Sequence, residues 1–100
     1  MKPYLVLDSH QGIYFGHATA KAVTEAMASG SIKLTQARHC FYYNIANHGE
    51  NKGVYGLAVV GPDTGSKIGP PCTMRVRDIS KIVDCTPEAA TAWEGASWGG

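Results

Sequence analysis

Charge is scarce in this chain, and neither sign dominates. Charged residues are 17% of the 100 and the net charge is +1, against about 25% charged in ordinary soluble domains. A broad basic field is therefore missing, which argues against duplex DNA held by phosphate neutralisation. Long apolar runs are missing too. Nothing approaches the roughly eighteen apolar residues of a membrane span, so no membrane association is expected. The opening run Tyr4–Leu7 is far too short for the apolar centre of a secretion signal. Cysteine occurs three times, at Cys40, Cys72 and Cys85. That is an odd number at no metal-ligand spacing, and it reads as reduced, mostly buried thiols. Paired carboxylates for acid–base chemistry are also lacking, because Asp8, Asp63, Asp78 and Asp84 are scattered through turns and strand ends. The expectation is a soluble cytoplasmic protein with no metal and no cofactor.

What the chain does have is glycine and aromatic surface: 12 Gly, five Tyr and two Trp. A chain of this length makes one domain with one modest core, expected over residues 1–96 with 97–100 as a flexible tail. With so little charge to cover its surface, burial of part of that surface in a homo-oligomer or a partner complex is expected.

Tyr4–Leu7 is apolar on both faces, the pattern of a buried strand. Ser9-His10-Gln11-Gly12 is turn chemistry, and Ile13–His17 returns as the second strand of a hairpin. Thr19 caps a short helix over Ala20–Ser29 that stops at Gly30. Alternation predicts a strand over Ser31–Thr35 and another over Arg38–Tyr43, the latter with Cys40 and Tyr42 on one face and His39, Phe41 and Tyr43 on the other. Asn44–Gly53 is polar and reads as a mobile loop, and Val54–Val60 as a strand. Thr73–Arg77 and Ile79–Val83 are further strands. Thr86-Pro87-Glu88 opens a helix, with Thr as cap, Pro in the first turn and an acid at the positive end. Trp93 would anchor that helix to the sheet. The fold class is α+β: a small, mostly antiparallel sheet or open barrel with a C-terminal helix and one short helix after the first hairpin.

Among the motifs, the stretch from Gly56 to Pro71 stands out. Gly-Pro occurs at both ends of its loop, with Gly65-Ser66-Lys67 between. It is not a nucleotide-triphosphatase loop, because Ser66 falls where the second glycine is needed and Gly69-Pro70-Pro71 forbids the following helix. Either the N–H groups of Gly65, Ser66 and Lys67 form a small anion nest with the Lys67 ammonium, or the loop is a rigid turn between strands. Arg38, Tyr42 and Tyr43 lie on one strand; a guanidinium with two phenols binds phosphate and stacks a flat ring, and the alternative is ordinary packing. Arg75 and Arg77, with Lys81 nearby, form a small basic stripe suited to nucleic acid or an acidic protein, or simply the wet face of a strand. His39-Cys40 cannot act together, since adjacent strand residues face opposite ways.

Four stretches together resemble a small domain family of unknown function found in phage and bacterial genomes. They are His10–Gly16; Ile32–Tyr43, as I-x-L-T-x-A-R-x-C-x-Y-aromatic; Gly56–Pro70, as G-L-A-x-x-G-P-x-x-x-x-basic-I-G-P; and Cys85–Ala89 followed by Trp93. The family pattern has Trp at the position of Tyr43 and Arg at that of Lys67, and Lys gives up bidentate phosphate geometry there. The resemblance implies a phage or prophage setting, hence the cytoplasm of a host cell, and it supplies no activity.

The functional expectation is an accessory binding protein, with anti-defence as its role, that takes a small anionic, nucleotide-like ligand or a host protein. Its ligand-binding residues would be Arg38, Tyr42, Tyr43, Gly65, Ser66 and Lys67. The alternatives are a virion or DNA-associated structural protein using Arg75 and Arg77, and a small hydrolase using Cys40 or a histidine.

Overall fold

The computed structural model describes residues 1–44, 48–50 and 53–97. Along the chain its elements are β1 (Lys2–Asp8), β2 (Ile13–Ala18), α1 (Ala20–Ser29), β3 (Ile32–Tyr42), α2 (Val54–Val59), β4 (Lys67–Ile68), β5 (Cys72–Val76), β6 (Ile79–Asp84) and α3 (Pro87–Glu94). The α+β expectation holds. The strands form one antiparallel sheet in the order β4-β3-β2-β1-β6, with β5 also on β3. β1, apolar on both faces, lies between β2 and β6. β4 and β5 run one after the other along the same edge of β3, interrupted by Gly69-Pro70-Pro71. The prolines have no N–H to give, so Gly69 supplies the bond at the break, donating to His39 O at 2.7 Å. Among the described residues β5 and β6 do not pair, and the sheet stays open.

Helix boundaries follow local chemistry. Thr19 Oγ1 accepts from Ala22 N at 3.1 Å, and Gly30 takes the left-handed conformation (φ 79°) that ends α1. Thr86 Oγ1 accepts from Ala89 N at 3.1 Å to start α3.

Three expectations need correction. Residues 31–35 and 38–43 are not two strands. All of them but Ser31 and Tyr43 belong to the single strand β3, which bulges at Gln36 (φ 51°), where the register against β2 shifts. Close to this bulge Leu34 lies against β2, where a Cβ on Gly16 would stand 2.8 Å from that of Leu34. A second shift, between Cys40 and Tyr42, breaks the expected facing: Cys40 is buried and Tyr43 packs against the same core, while Phe41 and Tyr42 are exposed. Lastly, Val54–Val59 is the helix α2, not a strand. A short apolar run cannot distinguish the two by period, and here the carbonyls at the end of α2 are claimed from outside. Trp93 Nε1 donates to Leu57 O (3.0 Å), Thr86 N to Ala58 O (3.0 Å) and Thr86 Oγ1 to Val59 O (2.5 Å).

Apolar residues gather on both faces of the sheet. Leu5, Phe15, Cys40 and Ile68 pack with Leu57, Ala58, Ala89 and Trp93 of α2 and α3, the Phe15 and Trp93 rings stacked at 5.5 Å. On the opposite face Tyr4, Val6, Leu34, Ala37 and Val76 pack with Ala26 of α1. No helix among the described residues is long and apolar enough to cross a membrane. The expected tail falls almost wholly on residues 98–100, and much of the expected mobile loop on 45–47 and 51–52; these lie outside the described residues.

Candidate functional site

Arg38, the residue expected to grip a phosphate, faces the interior. It is 2% exposed. Its Nε donates to Gly69 O (2.6 Å), Nη1 to Trp93 O (2.9 Å) and Glu94 O (3.3 Å), and Nη2 to Ala96 O (2.7 Å). A cation at the C-terminal end of α3 meets the negative end of the helix dipole and satisfies carbonyls that have no partner within the helix. Burial lowers the pKa of Arg38, and four carbonyl dipoles offset the desolvation. This guanidinium fastens α3 to β3 and to the Gly69 break.

The Gly-Pro loop is likewise tied to itself. Asn44 N donates to Ser66 Oγ (2.8 Å) and Asn44 Nδ2 to Thr64 O (2.7 Å). Ser66 N donates to Asp63 O (3.1 Å), and the Asp63 carboxylate accepts from Thr64 N (2.8 Å). One of the three amides expected to cradle an anion is therefore spent within the loop, and a carboxylate sits beside it. Gly65, at φ 94°, makes the turn. A cleft of about 320 Å³ between this loop and the end of α3 has Asp63 as the one charged residue of its lining among the described residues. Tyr43 is half-buried against the helix-covered core.

Two of the expected residues do come together on the surface. Tyr42, 58% exposed, stands directly opposite the exposed Lys67 across β3 and β4. Beside Tyr42, Phe41 is 66% exposed. The Phe41 ring leans on His39 at 4.4 Å between centroids, and His39 stacks on Tyr14 of β2 at 4.7 Å. A row of rings thus crosses two neighbouring strands and ends at the exposed Phe41, next in the chain to the exposed Tyr42 with Lys67 opposite it. Backbone geometry allows it: β2 and β3 pair Tyr14 directly with His39, and Gly69 leaves room for Phe41, whose ring carbon would lie 3.2 Å from a Cβ there. Sequence reading missed Tyr14 and Phe41 as site residues, although the alternation that placed His39 and Phe41 on one face was the available signal.

At the other end of the row, Tyr14 enters a second cleft, about 270 Å³, with Arg75, Arg77, His10, Asp8 and Asp78 among its lining. Asp8 is occupied there. Its Oδ1 accepts from Gly12 N (2.7 Å) and His10 N (2.9 Å), and its Oδ2 from the Tyr14 hydroxyl (3.1 Å). The Gly12 bond is foremost in holding its carboxyl below the usual value, and burial together with the bond to Asp8 raises the Tyr14 phenol.

The match to known proteins covers the same elements. The model of a family described as Domain of unknown function (DUF6948) matches residues 1–93. The chain belongs to this family. In this DUF6948 chain the match takes in all of the strands and nearly all of α3, so the aromatic row, Lys67 and both arginines of the cleft fall within it. No curated protein and no solved structure matches the chain.

Proposed function

We propose that this protein is a binding module, not a catalyst, that takes a flat anionic, nucleotide-like ligand on the exposed end of the aromatic row. The observation that carries the reading is the pairing of Tyr42 with Lys67, both exposed, next to the open ring of Phe41. An open aromatic face stacks a base or similar ring, worth about 1–3 kcal/mol per base, and an ammonium beside it balances a phosphate. The phage setting implied by the motif resemblance makes sequestration of a host signal nucleotide, as an anti-defence device, the natural role.

The hydrolase alternative draws little support from Cys40. Burial pushes the Cys40 thiol up to about 11, leaving no thiolate to attack. A host protein is the second reading, favoured by the degree to which Phe41 and Tyr42 stand out from the surface, since small-ligand sites are usually recessed and exposed aromatics anchor protein interfaces. The sparse charge and the exposed Tyr55 on α2 support self-association, which sedimentation at increasing concentration tests.

The principal test is calorimetric titration and thermal shift with linear and cyclic nucleotides. At a hundredfold excess over Kd the expected stabilisation is about 2.7 kcal/mol, lost in Phe41→Ala and Lys67→Ala with the fold intact. A panel that neither binds nor stabilises removes the small-ligand reading.

A further inference from the structure

The aromatic row has a positive group at each end, a feature that a mononucleotide does not need. Lys67 stands at the Tyr42 end, and Arg75 and Arg77 stand in the cleft that Tyr14 lines. Both arginines are exposed. Among the described residues Arg75 has no carboxylate partner, and Arg77 has only Asp78, at 3.9 Å and so beyond hydrogen-bond reach. The other carboxylate of the cleft, Asp8, accepts from two amides and the Tyr14 hydroxyl and has no ion pair with either arginine among the described residues. Among the described residues no carboxylate is hydrogen-bonded to either guanidinium of the cleft, and the one ion pair that either makes is Arg77 with Asp78 at 3.9 Å.

We infer that the ligand of this surface is single-stranded nucleic acid, with bases against Phe41 and Tyr42 and backbone phosphates at Lys67 and at the Arg75–Arg77 cleft. This rests on the nucleotide-binding reading above and extends it from one nucleotide to a strand. One phosphate reaches one end of the row only. A strand reaches both, and its unpaired bases present the faces that stacking requires. A duplex hides those faces and depends on a wide basic field, which a net charge of +1 does not supply.

The test is fluorescence anisotropy with a labelled twelve-residue oligothymidylate, the same length of oligouridylate, a duplex of equal length, and thymidine monophosphate as competitor, each across a salt series. Single strands should bind at least about tenfold tighter than the duplex or the monophosphate, with a log–log salt slope of about −0.7 for each phosphate neutralised. The exposed double variant Arg75→Ala/Arg77→Ala should flatten that slope by about 1 or more, and Phe41→Ala should weaken binding without changing it. Circular dichroism confirms that each variant is folded. A monophosphate bound as tightly as the oligomers, through Phe41, overturns the strand proposal and leaves the small-ligand reading standing. A slope unchanged in the double variant also overturns it. If neither mononucleotides nor oligomers bind, both readings fall, and a protein partner is left as the occupant.

Discussion

Arg38 Nη2 donates to Ala96 O at 2.7 Å, joining two residues 58 positions apart. The same guanidinium holds Gly69, Trp93 and Glu94 by their carbonyls. One side chain thus fixes the end of α3, the Gly-Pro-Pro break and the centre of β3 together. Removing it should cost far more than an ordinary surface arginine would. Arg38→Met leaves several carbonyls unpaired at the core, and the expected loss is about 3–5 kcal/mol in urea unfolding. Arg38→Lys should recover only part of that, because one ammonium cannot follow the planar fork. A loss below about 1 kcal/mol for Arg38→Met would contradict this role.

Gln36 bends β3 through a backbone conformation that L side chains seldom adopt, at φ 51°. Gln36→Gly relieves that strain at some entropic cost, and the expected result is a change between zero and about 1 kcal/mol of stabilisation. Gln36→Val should destabilise by about 1 kcal/mol or more, since a β-branched residue tolerates that region least. Thermal denaturation of the two variants side by side checks the ordering.

The three thiols should separate cleanly in a labelling experiment. Cys72 is exposed. Burial pushes Cys40 up to about 11 and Cys85 up to about 12, the charge of Asp84 adding to the latter. At neutral pH a thiol reagent should titrate one cysteine in the folded protein and three after denaturation. Mass spectrometry should place the first label on Cys72. Early modification of Cys40 would mean that the core around β3 opens readily.

Asp8 links stability to pH. Its folded-state pKa is depressed, first by the Gly12 amide and further by Tyr14 and His10, so the unfolded chain takes up the proton at a higher pH than the folded one. The stabilisation is present above the ordinary carboxylate pKa of 3.8 and is lost as pH falls through the lower folded value. Wild type should therefore lose more stability than Asp8→Asn when urea midpoints at about pH 7 and about pH 3 are compared. Equal losses would show that the β1–β2 turn contributes nothing to acid sensitivity.

The elements that could be read directly are those whose signals lie within a few residues of their effect. Thr19 and Gly30 bound α1, Thr86-Pro87 starts α3, and the alternation of Thr73–Arg77 marks an edge strand. The candidate site was legible only at Tyr42 and Lys67. The two residues that extend it, Tyr14 and Phe41, became visible through a cross-strand pairing and a register shift.

By itself the amino-acid order determined the α+β class, the hairpin, both capped helices and the family to which the chain belongs, because caps, turns and alternation act between near neighbours. Tertiary structure alone decided that Val54–Val59 coils into a helix, that β3 bends at Gln36, and that Arg38 turns inward while Phe41 and Tyr42 turn out. Each of those outcomes depends on hydrogen-bond partners or packing surfaces brought from far along the chain, such as the carbonyls that Arg38 meets 31 to 58 residues away. No local pattern encodes which distant carbonyl will need a donor.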